Sequence, residues 1–189
     1  MRSEMKIIKK LASNIHRYVL CALVSVFFWG WVFTLAGDAP RAKKLTVFTS
    51  VDAIDCAQLQ NALADEMPDG IRLVRVYPFR YAAFDTSEAE SADIYLVTGE
   101  EAASMAEYLS PITDAEEGLI ADGAVIAEVL IPAGFAAENT LFSDTIESDV
   151  YICFGSRSVH TESLNGSDDD AALLLADKIK ELFAQGGNL

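Results

Sequence analysis

The sequence predicts a three-layer α/β domain, a mostly parallel sheet with flanking helices, preceded by one membrane-spanning helix. Three observations carry this. A 19-residue run, Tyr18–Ala36, holds no charge. The 153 residues that follow are enough for one domain with its own core. Within them, short apolar stretches alternate with helically spaced ones, the pattern of strands and helices in βαβ units.

The first element is the span. A bilayer core satisfies no backbone polar group, so a run of this length and polarity predicts a transmembrane helix over residues 18–36. Residues 1–17 carry five basic residues and one acidic residue, a net +4, whereas residues 37–189 carry nine basic and 28 acidic, a net −19. Basic residues beside a span favour the cytoplasmic side. This predicts a single-pass cell-membrane protein with a cytoplasmic segment 1–17, a linker 37–44 and an extracytoplasmic domain 45–189. The bilayer is then the first partner. The competing reading is secretion after cleavage near Ala36, because Thr34-Leu35-Ala36 precedes Gly37 as a small-residue site. The run is longer than a signal core of roughly 7–15 residues, and its Phe27–Trp31 aromatic cluster suits an anchor.

The body begins with an apolar strand at Lys44–Ser50. Ser50 or Asp52 caps a helix running to about Met67, with Cys56, Leu59 and Leu63 on one face. Pro68-Asp69-Gly70 makes a turn. Ile71–Tyr77 and Ala92–Val97 are the second and third strands, and a helix follows from Glu100 to Leu109. Asp114–Ala121 reads as a short helical turn. Ala124–Ile131 fits helix or strand by periodicity, with strand preferred, and Asp149–Gly155 is a strand. The last helix has Asp168–Asp170 at its start, a stripe of Leu175, Ile179, Leu182 and Phe183, and a stop at Gly186-Gly187.

Composition excludes several functions. A body of net −19 repels nucleic acid, so no nucleic-acid partner is expected. Cys56 and Cys153 are the body's only cysteines and both sit on apolar patterns, which predicts two buried free thiols. With His16 and His160 the only histidines, no zinc spacing exists, and neither metal nor cofactor is predicted. No P-loop, dinucleotide fingerprint or calcium loop is present. Ser156, Ser158 and His160 bring a hydrolase to mind, but a serine and a histidine alone make no triad, and no Gly-x-Ser-x-Gly elbow exists. No catalytic residue is assigned.

Three stretches carry a family resemblance: KKLTVFTS at 43–50, IRLVRVYPF at 71–79 and ADIYLVTGEEAASMAEYLSPI at 92–112. Together they resemble the first lobe of type 2 extracellular solute-binding proteins of ABC transporters. In that family an "LTVYTS"-like strand opens the lobe, and a "DIYL" strand leads to a helix closing on "YLxPL"; here that close is Tyr108–Ile112. Val150–Phe183 is similar to the strand and helix that complete the lobe. The resemblance implies a periplasmic-binding-protein type 2 lobe and a solute-binding role in transport. Such receptors close two lobes on their ligand. Residues 113–148 are too few for a second lobe, so a tethered one-lobe module is expected.

Ligands of open α/β sheets bind outside the carboxyl ends of the strands. Those ends predict Thr49, Ser50, Arg80, Thr98, Gly99 and Glu100 as ligand-binding residues. Ser50 and Thr49 offer hydrogen bonds, Gly99 close backbone approach and Arg80 an anion clamp. The function expected is a non-enzymatic binding or accessory module beside a transporter or other envelope protein, with a small solute as ligand. A small extracytoplasmic hydrolase and a structural envelope protein without a pocket are the alternatives.

Overall fold

The computed structural model describes residues 14–36, 39–65, 67–80, 89–112, 118–134, 141–143, 145–161 and 170–186. The chain divides into two units, one up to Ala39 and one from Pro40 onward. Among the described residues the first holds one helix, α1 (Ile15–Ala36). Its Ile15–Phe33 stretch is long and apolar enough to cross a membrane and is 0% buried. A signal sequence has the same properties. The basic residues before Asn14 and the junction at Gly37 lie outside the described residues.

The second unit is built on one seven-stranded sheet. Its strands are β1 (Lys44–Thr49), β2 (Leu73–Pro78), β3 (Ile94–Thr98), β4 (Leu109–Ser110), β5 (Gly118–Ala121), β6 (Ala124–Ile131) and β7 (Val150–Gly155). The order is β2-β1-β3-β7-β6-β5, with β4 also paired to β7. Among the described residues three α-helices pack on it: α2 (Cys56–Ala64), α3 (Gly99–Ser104) and α4 (Ala171–Gly186).

The sheet is mixed. β2, β1 and β3 run parallel, whereas β3–β7, β7–β6, β6–β5 and β4–β7 are antiparallel. The expectation of a mostly parallel sheet therefore holds for one half only. The cause is local. Parallel neighbours need a long crossover, which α2 and the chain around it supply between β1 and β2. β5 and β6 are joined by two residues, Asp122-Gly123, and both have positive φ (51° and 83°). That is the type I′ geometry whose twist matches a hairpin. The expected helical turn over Asp114–Ala121 is thus corrected to a strand at 118–121; residues 114–117 lie outside the described ones.

Alternation along the strands sorts the core onto two faces. Leu45, Val47, Ile94, Leu96 and Ile152 meet Leu59 and Leu63 of α2 and Leu175, Ile179 and Phe183 of α4. Phe48, Tyr95, Val97 and Cys153 face the other way, onto Ala102 of α3 and Met105. Helices on both faces make the three layers.

Two helices are shorter than expected. α2 starts at Cys56, because the Asp55 carboxylate caps it by accepting from Ala57 and Gln58 N–H groups at 2.9 and 3.0 Å. Residues 50–54 are released to form a loop. α3 stops at Ser104, and Leu109-Ser110 pair with Gly155 and Phe154 instead of continuing the helix. α4 begins after Asp170; Asp168 and Asp169 lie outside the described residues, as does Gly187.

Candidate functional site

The parallel strand order reverses at β1. The chain goes from β1 outward to β2 and returns to β3 on the opposite side. That switch leaves a crevice at the carboxyl ends of β1 and β3. A cavity of about 400 Å³ lies there. Ser50, the residue after β1, and Thr98, the last residue of β3, line it. The loop after β1 contributes Asp52, and the segment before β7 contributes Ser143, Ile146 and Glu147.

Backbone hydrogen bonds set this geometry. Ser50 N–H donates to Leu96 O at 3.0 Å, tying the end of β1 to β3. Ser143 N–H donates to Ala53 O at 2.8 Å, and Asp55 N–H to Leu141 O at 2.9 Å. The 141–143 segment is thereby stitched to the 50–55 loop. Phe142 also packs on Phe183 of α4, ring centroids 5.1 Å apart.

One carboxylate organises Ser50 and Thr98. Glu101 Oε2 accepts from Ser50 Oγ, from Thr98 Oγ1 at 3.0 Å and from Thr98 N–H at 3.2 Å. Glu101 N–H donates back to Thr98 Oγ1 at 3.4 Å. Thr98 and Glu101 form a capping box at the start of α3.

The expected residues separate. Ser50 and Thr98 line the cavity together. Thr49 is buried, and its Oγ1 accepts from Val51 N–H at 3.2 Å, so it shapes the loop. Gly99 serves packing: a Cβ there would sit 3.0 Å from the Tyr151 ring. Arg80 and Glu100 are exposed and outside the lining. The residue missed is Glu101. Its signal was present in the spacing Thr98-x-x-Glu101.

A second polar cluster sits at the other end of these strands. Asp93, just before β3, is held by residues after β7. Asp93 Oδ1 accepts from Ser158 Oγ at 2.8 Å and lies 3.0 Å from His160 Nδ1. Its Oδ2 accepts from Thr46 N–H at 2.8 Å. His160 N–H donates to Ser158 Oγ at 3.1 Å, and His160 O accepts from Ala172 N–H at 2.8 Å. All three side chains are buried. A serine, a histidine and an aspartate thus meet, but not as a triad. A triad serine gives its proton to the imidazole. Here Ser158 gives it to the same carboxylate oxygen that His160 approaches.

A hollow of about 160 Å³ lies beside Asp93, with Arg41 and Lys44 on its wall. Arg41 is engaged there, donating to Ser91 O at 3.3 Å and Arg157 O at 2.5 Å.

No family model, curated protein or solved structure matches the chain.

The thiols are free. Cys153 is buried, and burial pushes its pKa far up, which makes it inert. Cys56 is half-buried, contrary to the expectation of full burial, and desolvation with the Asp55 charge raises its pKa. Among the described residues, no group of His, Cys, Asp and Glu could hold a metal ion.

Proposed function

We propose that the chain is a membrane-tethered, extracytoplasmic binding module, non-enzymatic, which holds a small solute beside a transporter or another envelope protein. The observation that carries this reading is the cavity of about 400 Å³ at the switch in strand order. Open α/β sheets bind ligands at such points, and the volume is in the range of small-molecule sites. The tether rests on α1 and on the +4 charge of residues 1–17, which favours a cytoplasmic amino terminus. The similarity of residues 43–112 to a type 2 solute-binding lobe points to the same role.

Binding is favoured over hydrolysis by the disposition of Ser158. Its hydrogen is directed at Asp93, and it is only 3% exposed, so substrate has no approach to it.

Two measurements test the reading. Protease added to intact cells is expected to remove the body, and protection until lysis would overturn the outward topology. A thermal-shift screen of the full chain in detergent micelles, against small solutes of differing charge, is expected to give stabilisation by at least one. Ser148→Trp, at an exposed lining position, is expected to abolish that shift. No shift with any solute would overturn the binding role.

A further inference from the structure

The cavity's chemistry narrows the solute. We infer that it takes a small, linear, amine-bearing cation, a ligand of ammonium donors on an aliphatic backbone. This rests on the binding role proposed above and adds the class of ligand.

The first argument is where the hydroxyl hydrogens point. A serine or threonine hydroxyl has one hydrogen and two acceptor lone pairs. Ser50 and Thr98 both spend their hydrogen on Glu101. Ser143 spends its hydrogen on the backbone, reaching Ala53 O at 3.3 Å and Asp52 O at 3.5 Å. Of the five hydroxyls in the described lining, which also holds Thr145 and Ser148, these three therefore turn only acceptors to the cavity. An ammonium group has donors and no acceptor, so it is the complement of such a lining. An alcohol would bring lone pairs that these hydroxyls cannot serve.

The second argument is charge. Asp52 and Glu147 line the cavity, and no ion pair among the described residues engages either one. All nine lysines and arginines after Ala36 lie in described segments, and none lines the cavity. The undescribed segments after Ala36 contain no lysine, arginine or histidine. An anion entering the cavity would meet like charge without a countercharge, which is strongly unfavourable.

The third argument concerns shape. Ile146, Val51 and Ala53 give apolar wall, and among the described residues no aromatic ring lines the cavity. A sugar ring has no stacking platform there, and a quaternary ammonium has no aromatic cage. A linear amine needs neither: its methylenes lie on Ile146 and its ammonium groups meet Asp52, Glu147 and the hydroxyl oxygens.

The test is calorimetric titration of the full chain in detergent micelles at near-physiological salt. Three probes of matched length are used: 1,4-diaminobutane, butane-1,4-diol and succinate. Diaminobutane is expected to bind at least tenfold tighter than either of the others. The double variant Asp52→Asn with Glu147→Gln is expected to weaken it at least tenfold while leaving the ligand-free unfolding midpoint in place. Tighter binding of the diol or succinate overturns the cationic class and leaves the binding role standing. Diaminobutane affinity unchanged in the double variant means diffuse attraction to the acidic body, and overturns the site. Silence from all three probes, with a positive thermal shift from another uncharged or anionic solute, overturns the class alone. Silence from every solute overturns both.

Discussion

The two ends of strand β3 carry the same kind of polar assembly in opposite environments. At the carboxyl end, Glu101 gathers two hydroxyls and a backbone N–H. At the amino end, Asp93 gathers a hydroxyl, an imidazole and a backbone N–H. The Glu101 assembly borders the cavity of about 400 Å³, whereas in the Asp93 assembly all three side chains are buried and only Asp93 reaches the smaller hollow beside Arg41 and Lys44. The contrast separates two uses of one chemistry. A buried carboxylate ties elements together: Asp93 links β1 through Thr46 to the loop after β7, and His160 O extends the tie to α4. A carboxylate beside a cavity instead fixes which lone pairs an incoming molecule meets.

The largest expected effect is at the buried end. Asp93→Ala removes the partner of a buried imidazole and of a buried hydroxyl, and is expected to cost about 1–3 kcal/mol for each of them. Urea unfolding of the full chain in micelles measures it. Ser158→Ala removes two neutral-donor hydrogen bonds, one to Asp93 Oδ1 and one from His160 N–H, and is expected to cost less, about 1–2 kcal/mol. Equal losses would show that the cluster is not organised around Asp93.

Next comes Gly155, at the same end. A Cβ there would lie 2.1 Å from Ala92 O, a backbone atom with no freedom to move aside. Gly155→Ala is expected to cost about 1–3 kcal/mol or more through overpacking. Gly99→Ala at the open end meets only the Tyr151 ring, and is expected to cost less than about 1 kcal/mol. Paired denaturant curves check the order, and a reversal would show that the open end is the more tightly packed.

Glu101→Ala crosses from stability to binding. It removes the capping box, worth about 0.5–2 kcal/mol. It also frees the hydrogens of Ser50 and Thr98 to point into the cavity. Diaminobutane affinity is expected to fall severalfold in the same titration, although Glu101 itself is not assigned to touch the ligand. Unchanged affinity would mean that the hydroxyls are oriented without it.

Much of this arrangement was legible in the chain. Strand β1, β3 and β7 were marked by apolar runs, and α4 by its Leu175–Ile179–Phe183 stripe, because burial on a sheet imposes these periods. Ser50 and Thr98 followed from the general placement of ligands at strand ends. The hairpin of β5 and β6 was hidden because its apolar residues fit helix and strand alike, and the deciding signal is the turn pair Asp122-Gly123. The buried cluster was hidden for another reason. Asp93 and His160 are 67 residues apart, and only β3–β7 pairing brings them together. Arg80 was misplaced because strand β2 lies beyond the switch point, so its carboxyl end does not reach the cavity.

The smallest expected change in stability comes from Ser50→Ala, which also makes the cleanest separation of the two ends. Ser50 Oγ bonds only Glu101 among the described residues, and Glu101 keeps Thr98 when it is lost. Unfolding is therefore expected to shift by no more than about 0.5 kcal/mol. Ligand binding loses an acceptor with fixed orientation, for which an ammonium would otherwise exchange a water. A severalfold drop in diaminobutane affinity is expected, against none for Ser158→Ala at the buried end. Titration of the two variants side by side checks this. A binding loss from Ser158→Ala as large as that from Ser50→Ala would mean that the two assemblies act as one, and the division of labour between the ends of β3 would fail.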